Sequence, residues 1–113
     1  MTLAEMIERQ RAFDSRHASR FEWDRPIDEN NLEMLEFLLL SLVGELGETA
    51  NLVKKIRRGD FALADKKPDI GEEMADMLIY MLKLSYQLDI DLEQAYTDKM
   101  KKNMERFKHY ERD

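Results

Sequence analysis

Glu45 and Glu48 stand three residues apart, as do Glu73 and Asp76, and each pair interrupts an otherwise apolar run. On a helix, an i,i+3 pair projects from one face about one turn apart. If the two runs are antiparallel neighbours, four carboxylates face one another and suffer both like-charge repulsion and desolvation. A hard divalent cation resolves that conflict. Mg²⁺, with Mn²⁺ as a substitute, takes oxygen ligands, keeps several waters and completes its shell with phosphate oxygens. Gly47 and Ala75, lying between the acids, leave room for metal and ligand. A single E-x-x-E is common on solvated helix faces, and Glu72 reads as an ordinary first-turn acid. Two pairs embedded in apolar helices are much rarer.

The missing residue types narrow the chemistry. With no cysteine among 113 residues, there is no disulfide framework, thiolate metal site or thiol nucleophile. Di-iron bundles use Glu-x-x-His on two helices. This chain has only His17 and His109, and Asp14-Ser-Arg-His17 is the nearest match, so both histidines read as surface residues. Oxygen-only ligation points to Mg²⁺ and away from redox chemistry. Downstream, Lys99, Lys102, Asn103 and Arg106 are linked by i+3 and i+4 steps into one basic stripe, while Lys101 and Lys108 read as solvated. Basic donors opposite a carboxylate–metal cluster suit a polyphosphate, whose oxygens are shared between metal and cations. A nucleic-acid surface does not fit a net charge of -6 and so short a stripe. There is no glycine-rich phosphate loop.

Four helical segments must position these groups. The first, Thr2 to His17, opens on the capping box Thr-Leu-Ala-Glu and carries Leu3, Met6, Ile7 and Phe13 at helical spacing. An aromatic connector containing Phe21 and Trp23 ends at Pro26. The second segment runs from about Asp28 to Arg58, with Gly59 placed as the residue just past its end. Residues 59–67 read as a loop, a third segment runs from Pro68 or Asp69 to Leu88, and a fourth runs from an Asp91 cap nearly to the C-terminus. No segment alternates with period two, so the fold class is all-α: a four- to five-helix bundle forming one domain over residues 1–113.

Charge follows the same division. Residues 1–27 and 91–113 are each neutral, and the acidic excess lies in residues 28–89, within the two most apolar segments. Those segments are greasy on more than one face, which a chain this short cannot enclose alone. A homodimer or homotetramer is expected. The longest apolar stretch, Phe37 to Val43, is far below the ~20 residues that span a bilayer. The charged start is unlike a secretory leader. A soluble, cytoplasmic protein without membrane partners is expected.

The run Leu-Val-Gly-Glu45-Leu-Gly-Glu48, the run Gly-Glu-Glu73-Met-Ala-Asp76-Met-Leu-Ile-Tyr80 and the run Lys-Lys-Asn103-Met-Glu-Arg106-Phe together resemble the MazG-like all-α nucleoside triphosphate pyrophosphohydrolases. The resemblance covers about residues 30–107 and is nearest to the compact, dCTPase-like or single-domain members. It implies Mg²⁺-dependent hydrolysis of an NTP or dNTP to the monophosphate and pyrophosphate, a house-cleaning activity on the nucleotide pool. It maps the metal-binding acids onto Glu45, Glu48, Glu73 and Asp76. Lys99, Asn103 and Arg106 would contact phosphates, joined by Lys102 of the same stripe, and Tyr80 would help line the sugar or base pocket. Lys54 and Lys55 depart from the family, because some relatives carry an aromatic residue there. Trp23 and Phe21 are placed either to stack on a base or to pack helices.

On this reading a carboxylate oxygen of Glu45 or Glu48 takes the proton of the attacking water. Lys99 and Arg106 stabilise the leaving pyrophosphate. Two rivals differ in what they require. A non-catalytic interaction module would pair its carboxylates with Lys54, Lys83 or Lys102. The same fold could instead act on phosphoribosyl-ATP or a nucleoside diphosphate.

Overall fold

The computed structural model describes residues 1–112, which form four α-helices and a short 3₁₀ turn, with no strand among the described residues. Helix α1 (Leu3–Arg16) starts at the expected capping box: the Thr2 hydroxyl accepts from the Glu5 amide at 3.1 Å, and the Glu5 carboxylate reaches back to Thr2. Helix α2 spans Leu32–Arg58 and ends as anticipated at Gly59, whose φ of 96° is a left-handed conformation that glycine adopts without strain. Helix α3 (Leu63–Gln87) is followed by a tight turn in which Asp89 takes a φ of 55°. Helix α4 (Leu92–Arg106) starts at Asp91, whose side chain accepts from the Gln94 amide at 3.0 Å.

Two boundaries differ from the sequence reading. Helix α2 begins at Leu32, because residues 28–31 are locked in a turn. The Asn31 side chain accepts from the Asp28 amide at 2.7 Å and donates to the Pro26 carbonyl at 2.9 Å. Helix α3 begins at Leu63 rather than Pro68, so the supposed loop over 59–67 shrinks to four residues. Pro68 lies inside the helix, and the carbonyl of Ala64 loses its usual donor. Ala64 and Pro68 are both exposed, so water replaces that bond and the helix continues. The fourth segment is also shorter than expected, giving way at Phe107 to a 3₁₀ turn over Lys108–Tyr110.

A link of only four residues makes α2 and α3 an antiparallel hairpin, and α1 packs against α3. Ile27, Leu38 and Leu84 form a small core, flanked by Met34, Leu35, Leu42, Tyr80 and Leu88. The connector is tied to the end of α3: the Ile27 amide donates to the Gln87 carbonyl at 2.7 Å, and Gln87 Nε2 donates to the Arg25 carbonyl at 2.9 Å. Helix α4 buries no residue and packs closely against none of α1 to α3. The radius of gyration is accordingly 17.6 Å, against about 13 Å for a compact domain of this length. The all-α expectation holds, but one chain does not close a bundle.

Candidate functional site: a carboxylate cluster and its adjoining cleft

The α2–α3 hairpin brings its two acidic pairs together. Carboxylate oxygens of Glu45, Glu73 and Asp76 all lie within 4.8 Å of one another. Glu45 and Glu73 are half-buried, Asp76 is exposed, and Glu48 is exposed one turn further along α2, outside this group of three. The Glu73 Oε2 atom is buried and has no hydrogen-bond partner among the described residues. Glu45 is pushed up to about 7, first by a hydrogen bond shared with Glu73, then by desolvation, then by the charges of Glu73, Asp76 and Glu48. No ion pair reaches Glu45, Glu48, Glu73 or Asp76 among the described residues. The pairing with lysines that an interaction module would require is therefore missing. An orphaned carboxylate oxygen in an all-oxygen set without a cationic partner fits a hard divalent cation.

Beside the cluster opens a cleft of about 230 Å³, lined by Glu45 and Asp76 at one end and by Trp23, Tyr80 and Lys83 further along, with Met34, Phe37, Leu38 and Ile79 as apolar walls. On α3 the residues Glu73, Asp76, Tyr80 and Lys83 follow one another at steps of three and four, so one helix face presents all of them. Trp23 is held in place by its Nε1–H, which donates to the His17 carbonyl, and by Phe21, whose ring lies 5.0 Å away.

Of the anticipated residues, Glu45, Glu73, Asp76, Tyr80 and Trp23 share this region, with Glu48 adjoining. Lys99, Lys102, Asn103 and Arg106 do not reach it within one chain, because α4 stands away from the hairpin. Both histidines are exposed as expected, His17 stacking on Phe13 at 4.2 Å. Asp14, noted in the sequence only beside His17, is instead 1% exposed and fully engaged. It accepts from Lys83 Nζ at 2.8 Å, from Gln10 Nε2 at 2.9 Å and from the Tyr86 hydroxyl. Burial, and after it the bond to Asp14, hold the Tyr86 hydroxyl far above its ordinary range, so it stays a donor. Sequence reasoning missed this lock between α1 and α3. Its available signal was a lone acid on the face of α1 that otherwise carries Leu3, Met6, Ile7 and Gln10.

The fold and site together define a helical protein that gathers carboxylates from consecutive helices beside an aromatic-walled cleft. The profile of the MazG nucleotide pyrophosphohydrolase domain matches residues 33–110, and the chain belongs to that family. The Gene 37 protein of Mycobacterium phage L5 is 37% identical over 65 residues, covering 56% of this chain and 57% of that protein. The dCTP pyrophosphatase 1 of Mus musculus is 32% identical over 105 residues, covering 89% of this chain and 58% of the relative. The dCTP pyrophosphatase 1 of Rattus norvegicus is 31% identical over the same length, with the same shares. The chain thus spans a little over half the length of these curated relatives. No solved structure matches it. No helix among the described residues is long and apolar enough to cross a membrane.

Proposed function

We propose that this chain is a single-domain, Mg²⁺-dependent nucleoside triphosphate pyrophosphohydrolase that converts an NTP or dNTP to the monophosphate and pyrophosphate. The observation that carries the reading is the Glu45–Glu73–Asp76 group with its unpartnered buried oxygen. Glu45, Glu73 and Asp76 would hold the cation and Glu48 would join them from the next turn of α2. Bound there, Mg²⁺ or Mn²⁺ supplies the positive charge that lets carboxylates and a polyphosphate share one pocket.

The chain's own residues do the rest. Glu48, exposed and outside the group of three, has an oxygen to spare for the proton of the attacking water; Glu45 is the alternative acceptor. The water oxygen bonds to phosphorus as the anhydride P–O bond breaks and pyrophosphate leaves. Trp23 and Tyr80 line the cleft on the side where the sugar and base would lie.

The donors for the leaving group are the cations Lys99 and Arg106 and the amide of Asn103, with Lys102 beside them, and in this reading they come from a second copy. Tyr96, Met100 and Met104 on α4, with Phe107 at its C-terminal cap, form an exposed apolar stripe at steps of four and three. The basic stripe lies one residue earlier, about 100° around the helix. Docking the apolar stripe on a partner's exposed α2–α3 face would set the basic stripe beside that partner's acids. A homodimer or homotetramer in the cytoplasm, acting on the free nucleotide pool, completes the proposal.

The decisive experiment measures pyrophosphate release from all common NTPs and dNTPs with Mg²⁺ and then with EDTA. Metal-dependent release from one or a few nucleotides is expected, and Glu48→Gln is expected to abolish it without changing helix content. Release that ignores EDTA, or a fully active Glu48→Gln enzyme, would overturn the assignment.

A further inference from the structure

Lys83 has no role in the chemistry so far, yet its position is unusual. It sits on α3 two turns beyond Asp76, about 10 Å along the helix axis, and its side chain is 14% exposed. One of its three protons is committed to Asp14 Oδ1 at 2.8 Å, while the ammonium lies 5.8 Å from the centroid of the Trp23 ring. Asp14 is itself fixed by Gln10 and Tyr86, so the ammonium is held from behind by a rigid carboxylate. Its remaining protons are free for the cleft that Lys83 lines with Trp23 and Tyr80. A lysine ammonium donates and never accepts. A flat ring lying against Trp23 would therefore have to present an acceptor at this edge.

We propose that Lys83 is a specificity-determining residue that donates to a ring keto oxygen of a pyrimidine base, with Asp14 as the positioning residue that aims it. This rests on the pyrophosphohydrolase reading, which sets the phosphates at the carboxylate end and hence the base at the Lys83 end. Three features define the class of ligand. At about 230 Å³ the cleft lies below the ~300 Å³ at which pockets for larger ligands begin, which suits a single ring. Two turns of α3 between Asp76 and Lys83 leave room for one sugar. A donor-only group calls for an acceptor, and the keto oxygen of cytosine, uracil or thymine supplies one on a single ring, whereas adenine offers only ring nitrogens on a double ring too large for this cleft. A base that turned an amino group towards Lys83 would leave two donors facing each other in a partly buried site, at the cost of an unmade bond.

The chain has a single tryptophan, so Trp23 fluorescence reports ring binding without any turnover. The test titrates α,β-imido analogues of dCTP, dTTP and dATP, and pyrophosphate alone, in the presence of Mg²⁺. The proteins are the wild type, Lys83→Met, Lys83→Arg and the double variant Asp14→Asn/Lys83→Met, which removes both buried charges together and guards against misfolding. Both pyrimidine analogues are expected to quench Trp23. Their Kd should rise about 10- to 100-fold in the two methionine variants, the range for a hydrogen bond to a charged group. Kd for pyrophosphate and for the dATP analogue should stay within about twofold, and Lys83→Arg should recover much of the pyrimidine affinity. Equal weakening of every ligand would make Lys83 a structural prop and overturn the proposal. So would hydrolysis by an enzyme whose pyrimidine affinity ignores Lys83, which leaves the pyrophosphohydrolase reading standing. A folded protein that neither binds nor hydrolyses any nucleotide overturns both.

Discussion

Glu45 carries the tension of the carboxylate cluster in a measurable form. In the unfolded chain it titrates near its ordinary value of 4.5, whereas in the metal-free fold it holds its proton up to about 7. Between those values the folded protein binds more protons than the unfolded one, so stability falls as pH rises and levels off above about 7. Urea unfolding of the metal-free protein from pH 4.5 to 8 is expected to show that downward slope, and Glu45→Gln is expected to flatten it. Mg²⁺ needs deprotonated ligands, so the stabilisation it adds should grow over the same window. A metal-free stability that climbs with pH there would mean the carboxylates are not crowded in solution. The acids were legible in the sequence because residue type and i,i+3 spacing suffice to mark them. Lys83 was not, because its position is set by Asp14, 69 residues away, and no local pattern links the two.

Elements whose limits depend on local chemistry were readable, and those that depend on solvent or tertiary ties were not. The Thr2 capping box, the Asp91 cap and the Gly59 terminus each lie within a few residues of the bonds they make. Pro68 misleads because helix breaking is a matter of context: an exposed turn near a helix start tolerates the missing amide that a buried one would not. The docking of α1 is a tertiary event and rests on Asp14. Its side chain is 2% exposed and that of its partner Lys83 is 14% exposed, so Asp14→Ala strands a largely buried cation and removes the acceptor of Tyr86. The expected cost is about 3–5 kcal/mol, read by urea unfolding, with a red shift in Trp23 emission as the connector loosens. The isosteric Asp14→Asn should cost less, since its one oxygen still accepts from either Lys83 or Tyr86. A loss below about 1 kcal/mol, the level of an exposed ion pair, would show that α1 is held by its apolar contacts alone.

At the scale of the whole molecule, the chain exposes 9174 Å², roughly 2,600 Å² more than a compact monomer of its mass. Much of the excess is apolar and ordered in stripes. Leu39, Val43, Leu46 and Val53 run along α2, Met74, Leu78 and Met81 along α3, and Tyr96, Met100 and Met104 along α4. A surface of that size is in the range obligate assemblies bury, and it is what a second copy would cover in the proposed assembly. Gly44 and Gly47 suit close approach of a second copy, since a side chain added at either would meet nothing within 4 Å among the described residues, and mid-helix glycine costs roughly 0.5–1 kcal/mol relative to alanine. If α4 crosses to a partner, each active site is built from the acids of one copy and the cations of another, and two inactive variants can repair each other. Glu48→Gln has intact cations and Arg106→Ala has intact acids. Unfolding and refolding them together gives mixed assemblies in which some sites combine the two intact halves. For randomly mixed dimers the expected recovery is about a quarter of wild-type pyrophosphate release, against almost none for either variant refolded alone. Sedimentation run alongside is expected to find an assembly rather than a monomer, since in the proposed assembly a second copy covers the apolar stripes. If α4 instead folds back onto its own hairpin, acids and cations come from the same copy in every site and mixing restores nothing. Recovery on mixing therefore separates a site shared between copies from one completed within a chain.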